Sequence, residues 1–219
     1  MLIIERNNMG HDCVWEWFYD FFELDIYVNT KFDLDKFGSD KRLEMLELVL
    51  SVLMKNDLFS ISKYEVYGFL KTEDSKTPDS LKKIECYSVN THDMRSVFMI
   101  NKKDFDEIEI DSFIFYFDTN VVLGNQKIKT FKDTFIVEMN TSIINLITDF
   151  DIWLPYDLRG KQQKLLASLN AFRLENVLLE IEKKVGEKLI SDNTEYAIVS
   201  GYKLENIRDT FNEVMNVYD

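Results

Sequence analysis

Leu43, Leu46, Leu50 and Leu53 recur at steps of three and four, and Val49 and Met54 widen their stripe. Asp40, Glu44, Glu47, Ser51 and Lys55 keep the same spacing on the other side. That pattern predicts an amphipathic helix over 39–57, with one face on a core. Ser39 reads as its N-cap, and Asp40 suits the positive end of the helix dipole.

The pattern changes in the middle of the chain. IECYSV from Ile84, VFMIN from Val97, EIEIDSFIFYFD from Glu107 and TFIVEM from Thr134 are β-branched and aromatic, and several alternate. In Glu107, Ile108, Glu109, Ile110 and Asp111 the period is two, which sends the acids to one face and the isoleucines to the other. Gly124-Asn125 reads as a two-residue hairpin turn, and Asn140-Thr141 as another turn before SIINLITDF. These segments predict antiparallel sheet.

The last third returns to helical spacing. Asn170 reads as the cap of AFRLENVLLEIEKKV, in which Leu174, Val177, Leu178, Ile181 and Val185 form a stripe. Gly186 stops that helix, unless EKLI extends it. YAIVS from Tyr196 is a short strand. KLENIRDTFNEVMNVY places Leu204, Ile207, Phe211, Val214, Met215 and Tyr218 at helical spacing and predicts a closing helix. HDCVWEWFYDFFELDIYVNT fits neither period, because both leave aromatics on every side.

The expected fold is therefore α+β: a mostly antiparallel central sheet with amphipathic helices packed against it, mixed topology being the alternative. At 219 residues, with 46% hydrophobic content and only 2 Pro and 7 Gly, one globular domain over 1–219 is expected, with room for two lobes sharing a sheet. No secretory signal or membrane-length apolar run is read at the start or elsewhere. Two cysteines, Cys13 and Cys86, suit reduced thiols in a cytoplasmic protein, one bridge being the other reading.

Charge adds the strongest functional hint. Lys and Arg number 26 against 39 Asp and Glu, a net of −13. The acids bunch over 12–40 and again at Asp104, Asp106, Glu107, Glu109, Asp111 and Asp118. Such surfaces repel nucleic acid and anionic membranes and attract cationic partners. Between Asp157 and Lys188 bases outnumber acids, so the chain is polarised.

Catalytic chemistry is thin by comparison. His11 with Cys13 and Cys86 with His92 lack the spacing of a zinc site, and neither cysteine has the setting of an activated nucleophile. GxSxG, GxGxxG and GxxxxGK[ST] are absent. The acids of DFDEIEID (Asp104, Asp106, Glu109) and the pair Asp149 and Asp151 are candidates for a metal-dependent hydrolase, without an EF-hand pattern. No cofactor is expected.

The stretch DIWLPYDLRGKQQKLLASLNAFRLENVL, from Asp151 to Leu178, together with the small acidic α+β character around it, resembles immunity proteins of bacterial toxin–immunity pairs, including contact-dependent inhibition systems. The resemblance covers about an eighth of the chain, and no functional residue carries over from so diverse a group. It implies a cytoplasmic inhibitor that binds its toxin's catalytic domain and performs no chemistry. Many such toxins are cationic nucleases, which an acidic protein can engage as a polyanion mimic. The expected contact is the acidic run Asp104, Asp106, Glu107, Glu109 and Asp111, because acids on a rigid strand lose little entropy on binding. Trp15, Trp17 and Tyr19, in the competing acidic stretch, are the alternative anchors.

Overall fold

The computed structural model describes residues 15–20, 24, 40–70, 81–87, 108–192 and 198–216, the side chains of 69, 70, 81–87, 108, 109 and 192 excepted. Its main element is a seven-stranded sheet of β1 (Trp15–Asp20), β2 (Phe59–Leu70), β3 (Leu81–Tyr87), β4 (Ile108–Val122), β5 (Ile128–Met139), β6 (Ile143–Thr148) and β7 (Ile190–Asp192). The strand order is β3-β2-β4-β5-β6-β1-β7, and every pairing is antiparallel. The helices α1 (Lys41–Lys55) and α2 (Lys164–Val185) pack on each other, α1 against β2 and α2 against β4. The fold is α+β, as the grouping of strand patterns in the middle of the chain predicts.

Strand periodicity puts the aromatics inside. Trp15, Trp17 and Tyr19 of β1, Tyr64 and Val66 of β2, Phe113, Phe115 and Phe117 of β4, and Phe135, Val137 and Met139 of β5 are all buried in one core. Leu43, Leu46, Val49, Leu50 and Leu53 of α1 close it from above, with Leu174, Val177, Leu178 and Ile181 of α2. Burying each such side chain contributes about 2 kcal/mol, which is why the strand period overrides the ambiguous pattern around β1. Trp15, Trp17 and Tyr19 are thus core residues, which corrects their reading as surface anchors.

Both turns fall where the sequence puts them, but the first is one residue longer than the two-residue turn expected. At Gly124-Asn125 the Gln126 N–H donates to the Leu123 carbonyl, and Gln126 takes the extra left-handed position of a longer hairpin loop. At Asn140 the side chain accepts from the Ser142 and Ile143 N–H groups. β2 is a strand that the hydrophobic pattern does not single out, although Tyr64, Glu65, Val66 and Tyr67 alternate. The VFMIN segment lies outside the described residues.

The helix boundaries differ in instructive ways. Ser39 lies outside the described residues, and Asp40 is the N-cap, its carboxylate accepting from the Arg42 N–H at 3.0 Å. Asn170 does not cap α2; the helix begins six residues earlier, and Asn170 is buried in its middle. Gly186 ends α2 in the left-handed conformation, with φ 85°, so EKLI does not extend it.

No helix forms over 203–216. Lys203–Glu205 is instead β9, paired with β8 (Ile198–Ser200) in a separate two-stranded sheet. The Asn206 side chain exchanges hydrogen bonds with the Tyr156 backbone, and the Asp209 carboxylate accepts from the Phe211 and Glu213 N–H groups. Such side-chain bonds to backbone compete with the helical ladder. Trp17 Nε1 donates to the Gly201 carbonyl at 3.0 Å and pins the β8–β9 turn to the sheet.

Candidate functional site

Residues paired directly across an antiparallel sheet point to the same side, so the register defines a second face, opposite the one on which α1 and α2 pack. One row runs Glu65, Ile114, Glu138, Asn145, Phe18 across β2, β4, β5, β6 and β1. The next runs Lys63, Tyr116, Ile136, Ile147, Glu16. Asp20 pairs with Ile143 at the end of β1. This second face therefore gathers the carboxylates of Glu16, Asp20, Glu65 and Glu138 around an apolar centre of isoleucines and aromatics. Apart from Glu65, which is buried, these residues are half-buried.

Asp111 joins them through a bulge. Tyr67 pairs with Ser112 and Gly68 with Ile110, which leaves Asp111 as the extra residue of β4. Ile110 and Phe113 are both buried with two residues between them, so Asp111 and Ser112 lie on the outer side together. Of the acids expected at the contact, Asp104, Asp106 and Glu107 lie outside the described residues. Glu109 pairs through its backbone with Phe69, and its side chain is not described. The structure places Asp111 on one face with Glu16, Asp20, Glu65 and Glu138. Sequence reasoning missed Glu65 and Glu138, although each alternates with buried neighbours in its strand.

Glu65 is the fixed point of this face, at 1% exposure. It accepts from Lys63 Nζ at 2.9 Å, from the Tyr67 hydroxyl at 2.8 Å and from the Tyr116 hydroxyl at 3.1 Å. The Lys63 ammonium also lies 4.2 Å from the Tyr116 ring centre. Three donors offset the desolvation of a buried carboxylate and hold its neighbours in one arrangement. Lys63, the base of these two rows, pairs with Glu65, and Glu16, Asp20, Asp111 and Glu138 add four more carboxylates to this face.

The candidates for metal chemistry are placed differently. Asp151 sits in a short 3-10 turn over Asp151–Trp153, where its carboxylate accepts from the Leu158 N–H at 3.1 Å. Burial pushes its pKa up, against the pull of that hydrogen bond. It organises the loop before α2. Among the described residues no three His, Cys, Asp or Glu side chains group as metal ligands. His11, His92 and Cys13 lie outside those residues, as do Asp104 and Asp106, and the Cys86 side chain is not described.

A groove of about 530 Å³ opens between α2 and the β8–β9 hairpin. Trp153, Ala171, Phe172, Tyr202 and Leu204 line it, and a Lys203–Glu175 ion pair at 3.8 Å ties its two walls. Trp153 Nε1 and the Tyr202 hydroxyl have no hydrogen-bond partner among the described residues, yet both atoms are sealed from solvent. In this conformation the groove offers neither of them to a ligand. No described helix is long and apolar enough to cross a membrane.

Comparison with known proteins finds no match, whether to a family model, a curated protein or a solved structure.

Proposed function

We propose that this chain is an immunity-type inhibitor, a cytoplasmic protein that binds and neutralises a cationic, nuclease-type toxin domain without catalysis. The observation that carries the reading is the acidic second face of the sheet, where Glu16 and Asp20 of β1, Asp111 of β4 and Glu138 of β5 are held by paired strands. A nuclease must be cationic where it grips phosphate, and an acidic face with an apolar centre complements that surface in both charge and contact area. Backbone pairing fixes the spacing of the acids, so binding orders few groups that were free beforehand. The net charge of −13 steers the encounter over distances comparable to the Debye length. The acids expected from sequence at Asp104, Asp106, Glu107 and Glu109 precede Asp111 in the chain.

The reading requires the gene directly upstream to encode a toxin, and the test is co-production of this chain with that toxin's catalytic domain in cells that the domain alone kills. The expected outcome is restored growth and a stable complex of the two proteins. Continued killing with both proteins present in soluble form would refute the reading. Calorimetry with Mg²⁺, Mn²⁺ and Zn²⁺ addresses the carboxylate- and metal-dependent hydrolase, which requires stoichiometric binding of one of these ions.

A further inference from the structure

Helix α2 is apolar on two opposite sides. Leu174, Val177, Leu178 and Ile181 face the core, but Leu165, Phe172 and Leu179 face away from it and are 63%, 53% and 42% exposed. Seven-residue steps put these three on a single outward ridge about 21 Å long. Isolated exposed leucines are ordinary, but three apolar side chains at seven-residue spacing give a partner helix a line to pack along, with exposed Asn176 and Lys183 on the same side. We propose that a second copy of this chain covers the ridge, through antiparallel pairing of α2 with α2 about a two-fold axis beside Phe172.

The ridge has the symmetry such a pairing needs. A two-fold contact must be self-complementary, with each position meeting its mirror position in the partner. Leu165 and Leu179 lie equally far on either side of Phe172, so the axis sets Leu165 of one copy on Leu179 of the other. Lys164 and Glu182 lie on the same flank of the helix, five full turns apart and nearly centred on that axis. Each Lys164 thus meets the Glu182 of the opposite copy, giving two ion pairs across the seam. In one copy Lys164 lines the groove beside the β8–β9 hairpin with its Nζ 5.5 Å from the Tyr156 ring centre, and half-buried Glu182 accepts from the Leu189 N–H at 3.2 Å. Parallel pairing would instead bring Glu175 towards Glu180 and align the helix dipoles, both unfavourable. One helix pair buries a small area for a specific interface, so association is micromolar rather than nanomolar. This surface is separate from the acidic sheet face, and the inference goes beyond the inhibitor reading.

Sedimentation velocity of the full chain over a wide concentration range tests it. The expected mass rises reversibly from 26.0 kDa to twice that value. Phe172→Glu should hold the chain monomeric throughout, and Leu179→Lys serves as a second variant, circular dichroism checking that both remain folded. Lys164→Glu and Glu182→Lys alone should each weaken the dimer about tenfold, since either reversal creates two like-charge contacts. The double variant should recover most of that loss. A parent chain that stays monomeric, a dimer indifferent to Phe172→Glu, or a double variant no better than the single ones would each overturn the proposal.

Discussion

Asn170 and Val122 exchange two hydrogen bonds, although one is in mid-helix and the other ends a strand. The Val122 N–H donates to Asn170 Oδ1 at 2.9 Å, and Asn170 Nδ2 donates to the Val122 carbonyl at 2.9 Å. The amide thus replaces a neighbouring strand at the last residue of β4, and Arg173 reinforces the joint by donating to the Asn120 carbonyl at 2.6 Å. This joint fixes α2 against the sheet.

Asn170→Ala should therefore cost about 3 kcal/mol, because it leaves a backbone donor and acceptor unpaired as well as removing the bonds. Asn170→Asp should cost more, since a carboxylate would face the Val122 and Leu166 carbonyls that now accept from Nδ2. Urea denaturation of the two variants measures both. A change below 1 kcal/mol for the alanine variant would mean that the joint is not structural.

Asp151 makes a prediction of opposite sign. Burial holds its folded-state pKa above the ordinary value of 3.8. Below pH 3.8 the carboxyl is neutral in both states, and it contributes no penalty. As pH rises the unfolded chain ionises first, so stability falls until the folded-state pKa is passed. Asp151→Asn keeps an acceptor for the Leu158 N–H and removes the charge. It should raise the thermal midpoint at pH 7, and the gain should vanish in strong acid. A loss of stability at pH 7 would assign the ionised carboxylate a favourable role.

The chain's three tryptophans, Trp15, Trp17 and Trp153, are 2% exposed or less. Native fluorescence should be blue-shifted relative to the unfolded chain and resistant to acrylamide. Quenching comparable to that of the unfolded chain would put at least one of them on the surface and revive β1 as an aromatic anchor.

The legibility of this fold follows the range of the forces involved. α1 and the strands over 108–148 are readable because a local period fixes which face meets the core. The tip at Gly124-Asn125 is readable because turn chemistry is local. Asn170 misleads for the same reason: its helix-cap chemistry is local, but its actual partner, Val122, is distant in sequence. Leu204, Ile207, Phe211 and Met215 keep a helical period, yet Asn206 and Asp209 divert the backbone into turns by bonding it directly. At the candidate site Asp111 is legible from the alternation of 107–111. Its grouping with Glu16, Asp20 and Glu138 requires the strand order β4-β5-β6-β1, which no local pattern encodes.

The central claim is that the acidic sheet face receives a cationic partner, and association kinetics test it most directly. The measurement is the rate of binding to the catalytic domain of the toxin that the proposed function requires, across a range of salt, for the parent chain and for Glu16→Ser/Asp111→Ser/Glu138→Ser. Steered association predicts a parent rate that falls steeply with salt, and a variant at least about tenfold slower in low salt with a flatter dependence. Equal rates and equal salt dependence for the two proteins would contradict the account.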